Sequence, residues 1–119
     1  MMTTGKAKQL TIYLGETDQL HHRALYMAII EWLREKKIAG ATATRGIAGF
    51  GASSHLHTAN ILRLSMDMPI TITVVDAPAT IDSIIEPLGA MAPHAMFTVH
   101  EVDVVRPAVG VAKTSSDKG

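Results

Sequence analysis

Met68-Pro-Ile-Thr-Ile-Thr-Val-Val75 alternates strictly, with Ile70, Ile72 and Val74 set against Thr71, Thr73 and Val75. A period of two marks a strand with one buried face. Directly after it, Asp76 stands where a side-chain oxygen can cap a helix. Pro78 falls near the first turn of that helix, where a missing N–H costs nothing. Ile81, Ile84, Ile85 and Leu88 then recur at helical spacing, and Pro87 is expected to kink or end the helix early. A strand feeding an amphipathic helix is half of a two-layer sandwich.

The other half lies upstream. Residues 9–14 alternate again, with Leu10, Ile12 and Leu14 on the apolar side. Gly15 ends this strand, and Thr17 or Asp18 is expected to cap the helix that follows. Leu25, Ala28, Ile29, Trp32 and Leu33 form its buried stripe. Arg23, Glu31, Arg34 and Glu35 make its outer face, with His21 and His22 in a solvated first turn. Lys36 and Lys37 suit the carbonyl end of the dipole, and Gly40 is expected to supply the stop. Residues 41–50 read as a second strand and Phe97–Val105 as the last, whereas Thr58–Leu64 fits strand or helix equally.

The order is therefore β-α-β-β-α-β. It predicts an α+β, ferredoxin-like sandwich: one antiparallel four-stranded sheet with both helices on one face. The domain is expected over 8–106 with a long loop at 51–66, between an N-terminal extension, 1–7, and a polar tail, 107–119. A loop of that length inside so small a domain points to a functional arm. Thr11, Tyr13, Thr71, Thr73, Val75 and Val99 are assigned to the uncovered face. They are too apolar or β-branched for open water, so self-association is expected.

Composition excludes several classes. At 119 residues there is room for one core. Eleven Lys+Arg balance eleven Asp+Glu, so no global field draws nucleic acid or anionic membrane. There is no cysteine, hence no disulfide, thiol nucleophile or thiolate metal site. No apolar run approaches the roughly 20 residues of a membrane span, and Met-Met-Thr-Thr-Gly-Lys lacks the apolar core of a signal peptide. A cytoplasmic protein without membrane insertion is expected.

Arg45-Gly-Ile-Ala-Gly-Phe-Gly51, followed by Ala-Ser-Ser-His-Leu-His57, carries the chemistry. Glycines let a ligand approach backbone N–H groups, so a strand ending this way reads as the rim of a small-molecule or anion site. A glycine-softened bulge is the alternative. His55 and His57, two apart, could instead begin a metal site, completed across an interface or by His21, His22, His94 or His100. The spacing Gly46-x-x-Gly-x-Gly51 is not a dinucleotide fingerprint. Ser53 or Ser54 with His55 and Asp67 lacks an oxyanion hole and an oriented base, so no enzyme is expected. Met27, Met66, Met68, Met91 and Met96 read as core and loop filler.

Gly49-Phe50-Gly51, the long loop before the third strand, and Phe97 followed by Arg106 resemble the PII signalling proteins. Those are trimeric ferredoxin-like sensors that bind adenine nucleotides between subunits. The resemblance is closer to the PII-like domain of unknown function 190. It spans about Leu10 to Val105 and rests on the Arg45–Gly51 run, Leu56-His-Thr58 and Leu64-Ser-Met-Asp-Met-Pro69. It implies a homotrimer binding a nucleotide or other small anion in intersubunit clefts. It implies that Gly49 and Gly51 bring backbone N–H groups to the ligand and that Arg106 meets phosphate; with the residues of the 45–57 run, the expected ligand set is Arg45, Gly46, Gly49, Phe50, Gly51, Ser53, Ser54, His55 and Arg106. Members are often encoded near ion-export genes, which implies a membrane transporter or other regulatory partner reached through loop 51–66. Ala52-Ser53, Met91-Ala-Pro-His-Ala95 and Ala108 replace charged or glycine-bearing positions of the PII pattern. A triphosphate therefore finds fewer cations here.

Overall fold

The computed structural model describes residues 4–49 and 67–106. The chain runs through β1 (Gly5–Gly15), a short hairpin of β2 (Gln19–Leu20) and β3 (Arg23–Ala24), and α1 (Leu25–Glu35). It continues through β4 (Ala41–Arg45), β5 (Pro69–Asp76), α2 (Pro78–Met91) and β6 (Met96–Val104). The main sheet has the order β4-β5-β1-β6 and every neighbouring pair is antiparallel. This is the expected α+β, ferredoxin-like architecture.

Register explains the core. Leu10 pairs with Val74 and Val99, and Ile12 with Ile72 and Phe97. Cross-strand partners share a face, so these side chains point together toward the helices. Leu10, Ile12, Ile72 and Val74 meet Ile29 and Leu33 of α1 and Ile81, Ile84 and Leu88 of α2 in one buried cluster. Each such side chain contributes about 1.5–3 kcal/mol on leaving water. Lys8, on the same side of β1, reaches Asp82 of α2 at 2.7 Å and closes the layer at its edge. The register also corrects one assignment. Val99 lies on the helix side, opposite Leu10, and is exposed because β6 is an edge strand.

The ends of elements differ from expectation for local reasons. α1 starts at Leu25, with Ala24 as N-cap and no side-chain cap. Asp18 instead accepts from the N–H of Gly15 at 2.9 Å, and its carbonyl accepts from Leu25 at 2.8 Å. His21 and His22 belong to the β2–β3 turn, not to the helix; both have positive φ, 51° and 66°, as a two-residue hairpin turn with right-handed twist requires. Arg23, in β3, pairs with Glu31 of α1 at 2.7 Å.

Gly40 does not stop α1. Lys37 takes the left-handed position at φ 60°. Its N–H bonds Arg34 O at 3.0 Å while that of Ile38 bonds Leu33 O at 3.2 Å, the paired closure of a Schellman motif. Asp76 lies one residue before the α2 N-cap, Ala77, and accepts from Ala77 and Ala39 N–H at 2.7 and 2.9 Å. Pro87 does not end α2 early, since the helix continues to Met91. Ile84 and Leu88 on either side are buried, and tertiary packing offsets the lost backbone bond.

β1 reaches back to Gly5, where it pairs with Val104. Regular pairing of β4 ends at Arg45 rather than residue 50. The strand-or-helix segment 58–64, the loop 51–66 and the tail 107–119 lie outside the described residues.

Candidate functional site

β4 organises the candidate site because its two ends carry different chemistry. At about 3.3 Å per residue, Ala41 and Arg45 are roughly 13 Å apart.

At the first end the uncovered face of the sheet forms an open concavity of about 470 Å³. Thr42, Thr73, Val75, Val104 and Arg106 line it with the turn at Ala39 and Gly40. Thr42 and Thr73 are cross-strand partners, so their side chains share this face; Val75 and Val104 fall on it by the same alternation. Arg106 Nε is buried and has no hydrogen-bond partner among the described residues. A buried donor left unpaired costs about 1–3 kcal/mol, and Arg106 is also among the residues that line the concavity. Guanidinium, paired hydroxyls and valine walls together suit a small anion carrying some apolar surface.

At the other end Arg45 meets Glu16, with Nε to Oε1 at 2.9 Å. The same Oε1 accepts from Met68 N–H at 3.3 Å. The guanidinium bond, with the Met68 N–H behind it, holds the Glu16 carboxyl below the usual glutamate value. Stabilisation from this pair is complete above the ordinary carboxylate range and is lost as pH falls through the depressed value.

The two described glycines of the run are explained by Pro69. Gly46 donates its N–H to Pro69 O at 2.7 Å, so that donor is already used. A Cβ on Gly46 would lie 2.8 Å from Pro69 Cγ. Gly49 has φ 151°, and its Cβ would lie 3.3 Å from the same atom.

Of the sequence-predicted ligand set, Arg45, Gly46 and Gly49 therefore gather at one end of β4 and Arg106 stands at the other. Convergence of the two groups requires two copies of the chain. Phe50, Gly51, Ser53, Ser54, His55 and the alternative metal ligand His57 lie outside the described residues. Among the described residues no three His, Asp or Glu side chains form a metal-holding group. Sequence reasoning missed Glu16 as a partner of Arg45, and it missed Thr42 as a wall of the concavity. Thr42 follows the alternation of β4, whereas Glu16 meets Arg45 only once strand order is known. Among the described residues no helix is long and apolar enough to cross a membrane.

Comparison with known proteins adds the following. The DUF190 family model, described as an uncharacterized ACR, matches residues 7–104. A UPF0166 protein of Methanocaldococcus jannaschii is 36% identical over 83 residues, which is 70% of this chain and 76% of that protein. A UPF0166 protein of Aquifex aeolicus is 24% identical over 104 residues, 87% of this chain and 98% of that one. Among solved structures the chain is similar to CPII from Thiomonas intermedia K12, a nitrogen regulatory PII-like protein. The form bound to ADP, AMP and bicarbonate aligns at 18% identity with a TM-score of 0.55, covering 90% of this chain and 95% of that one. The form bound to ADP, AMP and acetate gives 18% identity and 0.54, covering 89% and 95%. The likeness to CPII is one of fold.

Proposed function

This chain belongs to the DUF190 family, and from that premise we propose that it is a regulatory, ligand-binding protein of PII-like fold. In this reading it is a cytoplasmic homotrimer that holds a nucleotide or other small anion in clefts between copies. The single observation that carries the reading is Arg106, which lines the Thr42–Thr73 concavity and whose buried Nε has no partner among the described residues. Two further points support it. CPII, of the same fold, is described with ADP, AMP, bicarbonate and acetate bound. The uncovered sheet face keeps Tyr13 and Met96 exposed, and a second copy would cover them.

Arg45 and the Gly46–Gly49 turn of one copy would then complete the cleft begun by Arg106 of another. Binding is read out through segment 51–66 to a partner protein, and no chemical step is required of the site. Isothermal titration with ADP, AMP and bicarbonate tests the reading. Arg106→Ala should weaken the bound anion by about 1.5–3 kcal/mol, the worth of a hydrogen bond to a charged group. Equal affinity in the wild type and this variant would remove Arg106 from the site. Limited proteolysis supplies the second measurement: saturating ligand should protect segment 51–66 from cleavage.

A further inference from the structure

The helix layer carries a second cavity, across the sheet from the Arg106 concavity. An open groove of about 230 Å³ runs between Trp32, Lys36 and Ile38 on the α1 side and Thr80, Ser83 and Pro87 of α2. Lys36 Nζ stands over the Trp32 ring, 5.3 Å from its centroid, in a cation–π placement. Among the described residues no carboxylate pairs with that ammonium. The facing wall offers acceptors. A residue with an N–H at position 87 would donate to Ser83 O, one turn back in the helix, and proline has none. The Ser83 hydroxyl donates to Thr80 O at 2.7 Å, which leaves its lone pairs to accept. The groove therefore sets a cation on one wall, acceptors on the other and the apolar surface of Trp32, Ile38 and Pro87 between them.

We propose that this groove is a binding site for a free amino acid with an aliphatic side chain. The carboxylate meets Lys36, the ammonium donates to Ser83 O, and the side chain lies on Trp32, Ile38 and Pro87. The walls select this class. One cation matches one carboxylate and leaves a polyanion short of partners. The acceptor wall calls for a donor, which a plain carboxylic acid lacks once it is ionised. Lys36 holds one face of the indole, which favours aliphatic contact over aromatic stacking. The volume is below the roughly 300–1,000 Å³ of sites for drug-sized ligands, so the occupant is small. The site goes beyond the anion reading and stands or falls without Arg106.

Trp32 is the only tryptophan of the chain, so its emission reports on the groove. The full chain is titrated with L-leucine, followed by that emission and by equilibrium dialysis, which also detects binding that leaves the emission unchanged. Leucine should bind saturably. Leucinamide, without the carboxylate, and isocaproate, without the ammonium, should each bind about tenfold or more weaker, the worth of one hydrogen bond to a charged group. Lys36→Met keeps the stem and removes the charge; it should weaken leucine and isocaproate about tenfold and not leucinamide. Pro87→Ala restores an N–H for Ser83 O. It should weaken leucine and leucinamide and not isocaproate, while thermal unfolding shows a fold no less stable than the wild type. Absence of saturable leucine binding overturns the proposal. Leucine binding that neither substitution weakens overturns it equally, because the site then lies elsewhere.

Discussion

On the helix-covered face of the sheet Leu10, Ile12, Ile72 and Val74 are fully buried, whereas on the opposite face Tyr13 is 39% and Met96 58% exposed. Both faces come from the same alternation along the same strands. One is closed by α1 and α2 and is filled with aliphatic side chains that interlock. The other mixes threonine, valine and tyrosine, buries Ala7 and Thr11, and opens into the concavity beside Arg106. Aliphatic faces close because area removed from water is the dominant gain. A face of threonines and valines gains less and keeps hydroxyls available, so it can serve an interface and a ligand together.

The largest expected effect comes from charging the second face. Thr71→Glu sets a carboxylate between Tyr13 and Thr44 on this face, outside the concavity that Arg106 lines. Against an assembled face this should cost about 3–5 kcal/mol, the penalty for an uncompensated buried charge. Light scattering should then report the monomer mass, with the secondary structure intact. A wild type that already runs as a monomer would break the comparison, because nothing would then cover this face. The matching change on the first face is Ile12→Ala. Denaturant unfolding should show a loss of about 2–5 kcal/mol by cavity formation, with anion affinity unchanged.

How much of this was legible in the sequence follows the same division. Period-two and period-3.6 patterns report burial, so β1, β5 and both helix stripes could be read directly. Val99 was assigned to the wrong face because position within a strand does not reveal register; only its pairing with Leu10 does. The start of α1 was missed because Thr17 and Asp18 carry cap chemistry that the chain uses for a turn before the helix. At the site, the glycine run advertised close approach, and close approach is found, but to Pro69 for Gly46 and Gly49. Glu16 and Arg45 are 29 positions apart and meet only because β1 and β4 flank β5. No local signal encodes that neighbourhood.

A smaller effect probes the glycine run itself. Gly46→Ala puts a methyl 2.8 Å from Pro69 Cγ, and a proline ring at the head of β5 cannot swing aside as a flexible side chain would. The substitution should cost about 1–3 kcal/mol by overpacking. Adding Pro69→Ala should recover most of it, a coupling read by a double-mutant cycle. Additive losses would mean that Gly46 is needed for something other than room beside Pro69, and the ligand would be the first candidate.

The smallest effect has the opposite sign and lies on the seam between the two faces. Lys37 ends α1, the cover of the closed face, and delivers the chain to Ala39 and Gly40 beside the concavity of the open one. Its φ of 60° is left-handed, which strains any residue with a Cβ and is free for glycine. The hydrogen bonds that close the helix, Lys37 N–H to Arg34 O and Ile38 N–H to Leu33 O, are backbone bonds and survive substitution. Lys37→Gly should therefore stabilise the fold by about 0.5–1 kcal/mol, after part of the relief is returned to the greater entropy of glycine in the unfolded chain. Thermal unfolding should show the gain while anion affinity stays constant, because the change relieves the covered layer without altering Thr42, Thr73 or Arg106. A variant that gains stability and loses affinity would show that strain at Lys37 shapes the concavity, and that the two faces are coupled through this turn.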